Sequence, residues 1–205
     1  MCYNMMMDVY TIPDFVSKEE IEAIYQQTSV GLQRPWTFSG DVIGLGGGDR
    51  SVPGVCSDMT EDIHLYKSWS QPVRPEIYDP GCDLICRMLD SFESRGAPIG
   101  VRELYRFRFN YLFNSLVDGY HDPHVDDSGL CADGVDHWVC VIQLIGDGPT
   151  YVFDRKWGQD QSDDEPYQLI EFKPGNAIIF PGDRYHSSSS PVKSQCRLAI
   201  NINLG

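Results

Sequence analysis

The sequence predicts a mainly β domain with helices flanking it, and three features carry that reading. Six strand-like runs separated by short turn-rich stretches lie between residues 103 and 202, a spacing that suits a sandwich or barrel. Helical patterning is confined to the first hundred residues. The chain of 205 residues suits a single domain, 1–205, in which 1–100 supplies N-terminal helices and loops and 101–205 most of the β core.

In chain order, "DVYTIPDF" alternates in part and meets Pro13. In "SKEEIEAIYQQ", Ser17 stands as N-cap with Glu20 three residues on, a capping box, and Ile21, Ile24 and Tyr25 form the apolar stripe of a helix. Residues 31–60 read as loop, centred on Gly44, Gly46, Gly47 and Gly48. The run lacks the lysine and the strand–helix context of a phosphate loop. "CDLICRMLDSF" (82–92) is a second helix, ended by Gly96 and Pro98. "ELYRFRFNYLFN" then alternates. Tyr105, Phe107, Phe109, Tyr111 and Phe113 share one face, which is expected to pack, and Arg106, Arg108, Asn110 and Asn114 share the other. Further strands are expected at 138–145, 150–153, 167–172, 177–180 and 197–202, with the acidic run 158–166 as a solvated hairpin loop.

A net charge of −14 argues against nucleic acid as the main partner. No apolar run is long enough for a membrane span, and "MCYNMMMDVY" is no secretory signal. The seven cysteines include no C-x-x-C pair, and Cys140 and Cys196 look like small core residues inside strands. A reduced, cytoplasmic protein without a disulfide framework is expected.

The chemistry concentrates in "HVD" at 124–126. Two residues apart in extended chain, His124 and Asp126 point to the same side. If strand pairing brings His186 beside them, two imidazoles and a carboxylate take one face of a metal and leave the other positions open, the facial triad of non-haem iron(II) oxygenases. Arg197 opens the strand "RLAINI" eleven residues after His186, and its planar fork suits a carboxylate. Zinc also accepts histidine and aspartate, but the placement of Arg197 favours the oxygenase.

His124-Val-Asp126, the segment "PGNAIIFPGDRYH" and Arg197 together resemble the 2-oxoglutarate- and Fe(II)-dependent dioxygenases of the prolyl-hydroxylase-like branch, over roughly residues 100–205. That resemblance implies a double-stranded β-helix, or jelly-roll, core. It implies that His124, Asp126 and His186 hold Fe(II), that Arg197 binds the distal carboxylate of 2-oxoglutarate, and that Asn110 contacts its 1-carboxylate end. It further implies dioxygen as co-reactant, ascorbate as a supporting reductant, and hydroxylation in preference to halogenation, because a carboxylate stands at Asp126. The expected substrate is a small carboxylic or amino-acid-like molecule. The alternatives are peptidyl proline and a non-catalytic jelly-roll that binds metal or ligand.

Several residues around this set have expected places of their own. His121 and His137 are expected to be exposed, His64 to be structural, and Trp36, Trp69 and Trp157 to line a cleft or pack a core. Gln143 stands in for a tyrosine that prolyl hydroxylases place near the cosubstrate. Arg106, Arg108 and Arg184 are candidates to hold a substrate carboxylate, unless acidic neighbours pair with them. "GDVIGLGGGDRSVPG" (40–54) suits a hinged lid over the substrate.

Overall fold

The computed structural model describes residues 9–26, 37–39, 54–58, 87–88, 90–91, 94, 104–114, 119–159 and 166–205. The expected mainly β fold is what they form. The strands are β1 (Tyr10–Ile12), β2 (Thr37–Ser39), β3 (Gly54–Asp58), β4 (Leu104–Phe113), β5 (Trp138–Ile145), β6 (Thr150–Lys156), β7 (Pro166–Ile170), β8 (Ala177–Pro181), β9 (Arg184–Ser188) and β10 (Cys196–Leu204). A seven-stranded sheet runs β1-β8-β5-β10-β4-β3-β2 and a three-stranded sheet runs β7-β6-β9, every pair antiparallel.

Alternation along each strand sorts side chains to the two faces of the larger sheet. Phe107, Phe109, Cys140, Ile142, Leu144, Ile179, Leu198, Ile200 and Ile202 pack on one face with Val16 and Met88. Ile21, Ile24 and Tyr25, the stripe of helix α1 (Lys18–Tyr25), cover part of it. The capping box holds: Ser17 accepts from the Glu20 N–H at 3.2 Å, and the Glu20 carboxylate accepts from the Ser17 N–H at 2.8 Å. Met88, fully buried, is one of the described helical residues within the second expected helix. On the opposite face Val139, Val141, Ile178, Phe180 and Ala199 meet Val152 and Ile170 of the smaller sheet.

Residues 31–60, expected as loop, contribute β2 and β3, which add to the edge of the larger sheet beside β4. Both are short, and β3 begins on a glycine, so a period of two has no room to show. Helix α2 (Ser128–Ala132), also unexpected, starts at Asp127, whose carboxylate accepts from the Leu130 N–H at 2.9 Å. Cys140 is buried as expected, but Cys196 sits at the start of β10 and is only partly buried. The region 40–53 of the expected lid, His64, Trp36 and Trp69 lie outside the described residues. Among the described residues no helix is long and apolar enough to cross a membrane.

Candidate active site

His124 and His186 stand opposite each other in an isolated antiparallel bridge that extends the smaller sheet beyond β9. Each backbone N–H donates to the other residue's carbonyl, at 2.9 and 2.8 Å. The bridge sets the two rings side by side, with centroids 4.6 Å apart. Asp126, two residues along the extended chain, turns its Oδ1 toward both: 3.9 Å from His124 Nε2 and 3.6 Å from His186 Nε2. One ligand atom from each of the three residues lies within 4.8 Å of the others.

The tautomers follow from the neighbours. His124 Nδ1 lies 3.1 Å from the Asp122 carbonyl and His186 Nδ1 lies 3.2 Å from the Arg184 carbonyl. A carbonyl only accepts, so Nδ1 carries the proton on each ring and the Nε2 lone pairs face Asp126. Burial, reinforced by His186, pushes the His124 imidazolium down to about 4, so this ring is neutral at pH 7. For Asp126 burial opposes ionisation, but the Arg106 guanidinium beside it outweighs burial and holds the carboxyl well below its usual range. Arg106 Nη1 donates to Asp126 Oδ1 at 3.3 Å and reaches the Asp126 carbonyl at 3.4 Å. His186 Nε2 and Asp126 Oδ2 are buried without a hydrogen-bond partner among the described residues. Two imidazole Nε2 atoms and one ionised carboxylate on one face fit a divalent transition metal, with Nδ1–H donation raising the basicity of each ring.

The pocket around this set lies between the sheets. Its larger-sheet wall is Arg106, Asn110 and Leu112 of β4, Val141 of β5, and Arg197, Ala199 and Asn201 of β10. Its smaller-sheet wall includes Thr150, His186, Ser187 and Ser188. Cross-strand register orders the two walls. Arg197 pairs with Leu112, Ala199 with Asn110, and Asn201 with Arg108. Thr150 pairs with Ser188 and Val152 with His186. Arg197 therefore occupies one end and Asn201 and Arg106 the other.

Arg197 is 3% exposed, and among the described residues no carboxylate pairs with it. Its Nη2 donates to Thr150 Oγ1 at 3.0 Å, and its guanidinium carbon sits 5.2 Å from the centre of the Phe172 ring. Burial lowers its pKa to about 10, which leaves it charged at pH 7. A buried guanidinium at a pocket end fits an anionic ligand, and a planar carboxylate matches its fork.

Other expectations meet corrections here. His121 and His137 are buried, at 0% and 2% exposure, not exposed. His121 Nε2 lies 2.9 Å from Ser190 Oγ and Nδ1 lies 3.3 Å from Ser188 Oγ, while the Ser187 hydroxyl donates to its carbonyl at 2.7 Å. Burial, with Arg197 and His124 adding to it, pushes His121 down to about 3. The His137 ring fills the space beside Gly182, where a Cβ would collide with it. Gln143 does not line the pocket; its Oε1 accepts from the Lys173 N–H at 2.9 Å, anchoring a turn. Arg184 does not reach the pocket either, because Asp154 takes it at 2.9 Å through Oδ1 and 2.7 Å through its carbonyl. Trp157 is 39% exposed on the turn after β6. Asn110 does line the pocket. Thr150 and Asn201 were not anticipated. Asn201 was within reach of the pattern, since 197, 199 and 201 share one face of a strand; Thr150 carried no signal.

No family model and no curated protein matches the sequence. Solved structures do match the fold. A 2OG-Fe(II) oxygenase-family oxidoreductase from Burkholderia pseudomallei superposes with a TM-score of 0.62 at 14% identity, covering 96% of this chain and 85% of its own. A Pseudomonas putida prolyl-4-hydroxylase gives 0.56 at 12% identity, covering 97% and 92%. The viral collagen prolyl hydroxylase from Paramecium Bursaria Chlorella virus-1, solved with 2OG, gives 0.55 at 16% identity, covering 96% and 94%. The chain has the jelly-roll fold of these oxygenases, as the sequence resemblance implied.

Proposed function

We propose that this protein is a 2-oxoglutarate- and Fe(II)-dependent dioxygenase that hydroxylates a C–H bond of a small carboxylic or amino-acid-like substrate. The observation that carries this reading is the pairing, in one pocket, of the His124–Asp126–His186 face with the buried Arg197, which no carboxylate among the described residues pairs with. His124, Asp126 and His186 would hold the iron. Arg197, oriented by Thr150, would bind the distal carboxylate of 2-oxoglutarate, and the Asn110 amide N–H would donate to its 1-carboxylate. The chemistry supplied by such a bound pair is oxidative: one atom of dioxygen ends in succinate, the other in a substrate hydroxyl, and carbon dioxide leaves.

The chain's own residues do the positioning. Asp122 and Arg184 carbonyls hold the rings with Nε2 presented, and Arg106 keeps Asp126 ionised. Leu112, Val141 and Ala199 give the pocket an apolar wall that limits water beside the reacting groups. The likeness to two prolyl hydroxylase structures favours peptidyl proline as a second reading of the substrate. The test is a substrate screen read by succinate formation, with Fe(II), 2-oxoglutarate and ascorbate present. Succinate formed in proportion to hydroxylated product is the expected result; no succinate with any carboxylic acid, amino acid or prolyl peptide contradicts the reading.

A further inference from the structure

We propose that Asn201 donates, through its Nδ2, to a carboxylate of the substrate, and so selects a free acid; this rests on the oxygenase reading. Asn201 stands on β10, between β4 and β5, and its side chain lines the pocket at 8% exposure. Its Oδ1 is shut off from solvent without a partner. Its Nδ2 stays open and has no hydrogen-bond partner among the described residues. A side chain this buried opens only onto the pocket it lines, so the atom it presents there is the donor.

Asn110 repeats the pattern, with Oδ1 shut off and Nδ2 open. The polar side chains of the larger-sheet wall are thus Arg106, Asn110, Arg197 and Asn201, and none of the four brings an open acceptor to the pocket. Such a wall suits a ligand rich in oxygen acceptors and gives an ammonium nothing to donate to.

The cosubstrate takes one end of this wall. Arg197 is held by Thr150, which pairs with Ser188, two positions from the Val152–His186 pair. 2-Oxoglutarate then runs from Arg197 toward the triad, with the Nδ2 of Asn110 at its 1-carboxylate. Asn201 lies four residues along β10 from Arg197, about 13 Å at 3.3 Å per residue, well beyond the roughly 5 Å of an extended five-carbon chain. Its donor is therefore left for the substrate.

Register and charge say what kind of acceptor fits. Asn201 faces Arg108 across β4, and Arg106, diagonal to it, donates to Asp126. An acceptor held by Asn201 thus lies on the Asp126 side of the pocket. The charged side chains among the described pocket residues are Arg106, Arg197 and Asp126. With a divalent metal and dianionic 2-oxoglutarate bound, one positive charge is left over, and one carboxylate balances it. An internal proline of a peptide offers only a neutral carbonyl and leaves that charge unbalanced.

The test loads the whole protein with Mn(II) and 2-oxoglutarate in the absence of dioxygen. Calorimetry then measures binding of the common L-amino acids, of the same acids lacking the amino group, and of the primary amides of both sets. We expect at least one acid to bind about tenfold or more tighter than its amide, the size of one or two hydrogen bonds to a charged group. Asn201→Leu should erase that preference while 2-oxoglutarate still binds as in the wild type, the sign of an intact fold. Asn201→Asp keeps the shape but replaces the donor with an anion, and should weaken the acid further and leave the amide the tighter ligand. The proposal is overturned if no acid binds, if the amides bind the wild type as tightly as the acids, if Asn201→Leu keeps the preference, or if Asn201→Asp holds the acid as the wild type does. Should a variant fail to bind 2-oxoglutarate, the comparison of acid with amide in the wild type decides. Should 2-oxoglutarate fail to bind the wild type, the oxygenase reading falls, and the subsite falls with it.

Discussion

Arg197 is a buried charge that the described residues supply with one hydroxyl and an aromatic ring but no carboxylate. A protein selected only for stability would gain from an apolar side chain there. Arg197→Met is therefore expected to raise the unfolding free energy of the ligand-free protein, by on the order of 1 kcal/mol. The same change should weaken 2-oxoglutarate binding by on the order of 2–5 kcal/mol, since the ligand's carboxylate would then be buried unpaired. Equilibrium unfolding and calorimetry on one preparation read both effects, and a variant that is less stable yet binds normally contradicts the role. His121 makes a different prediction. Its folded pKa lies near 3, against an ordinary 6.5 in the unfolded chain. Below pH 6.5 the unfolded chain takes up a proton that the folded protein refuses, so stability present at neutral pH is lost as pH falls toward 3. His121→Asn should remove close to one proton, about 1.4 kcal/mol per pH unit, from the slope of stability between pH 6 and 4. An unchanged slope in urea titrations across that range would show that His121 is protonated in the fold. At this same scale the sequence was only partly legible. His124 and Asp126 could be read because their relation is local, two residues in extended chain. Arg106 could be placed on a face by alternation, but alternation names no partner, and its pairing with Asp126 comes only from the fold.

Among the elements, β9 carries His186 and gave no strand signal in the sequence. "RYHSS" has no apolar periodicity and follows β8 after only Gly182 and Asp183, so the stretch looks like the end of a run. The short turn instead moves the chain from the larger sheet to the smaller, since β8 pairs with β1 and β5 while β9 pairs with β6. His186 thus sits mid-strand, opposite His124, not at a strand end. The long β4 was legible by its alternation, and β5, β8 and β10 as apolar runs bounded by turn residues. β2 and β3, short and at the sheet edge, show none. A second element-scale constraint lies where β5 ends. Gly146 has φ of 111°, and a Cβ there would collide with the Cys196 carbonyl and press on Arg197 Cα. Gly146→Ala is expected to destabilise by more than about 1 kcal/mol and to weaken 2-oxoglutarate binding through displacement of Arg197. Melting temperature and ligand affinity check this, and a variant unchanged in both would mean that the start of β10 yields without moving the guanidinium.

For the whole molecule, the order of the sheets decides what meets what. The Arg/Asn face of β4 and the Arg197–Asn201 face of β10 belong to the larger sheet, and His186 with its bridged partner belongs to the smaller. The site exists only because the two sheets face each other, which no local pattern encodes. The resemblance to the oxygenases is what let the sequence anticipate it. The same arrangement predicts that the triad and Arg197, contributed by opposite walls, act on one ligand. Binding free energies must then be coupled: metal should tighten 2-oxoglutarate, and 2-oxoglutarate should tighten metal by the same factor. The most direct measurement is a calorimetric titration of 2-oxoglutarate into the metal-free and the Mn(II)-loaded protein, repeated with His186→Ala. The predicted result is an affinity at least about tenfold higher with Mn(II) in the wild type, a coupling of ~1.4 kcal/mol or more, and no such gain in His186→Ala. Equal affinity with and without metal, or an undiminished gain in His186→Ala, would contradict a shared site between the two sheets.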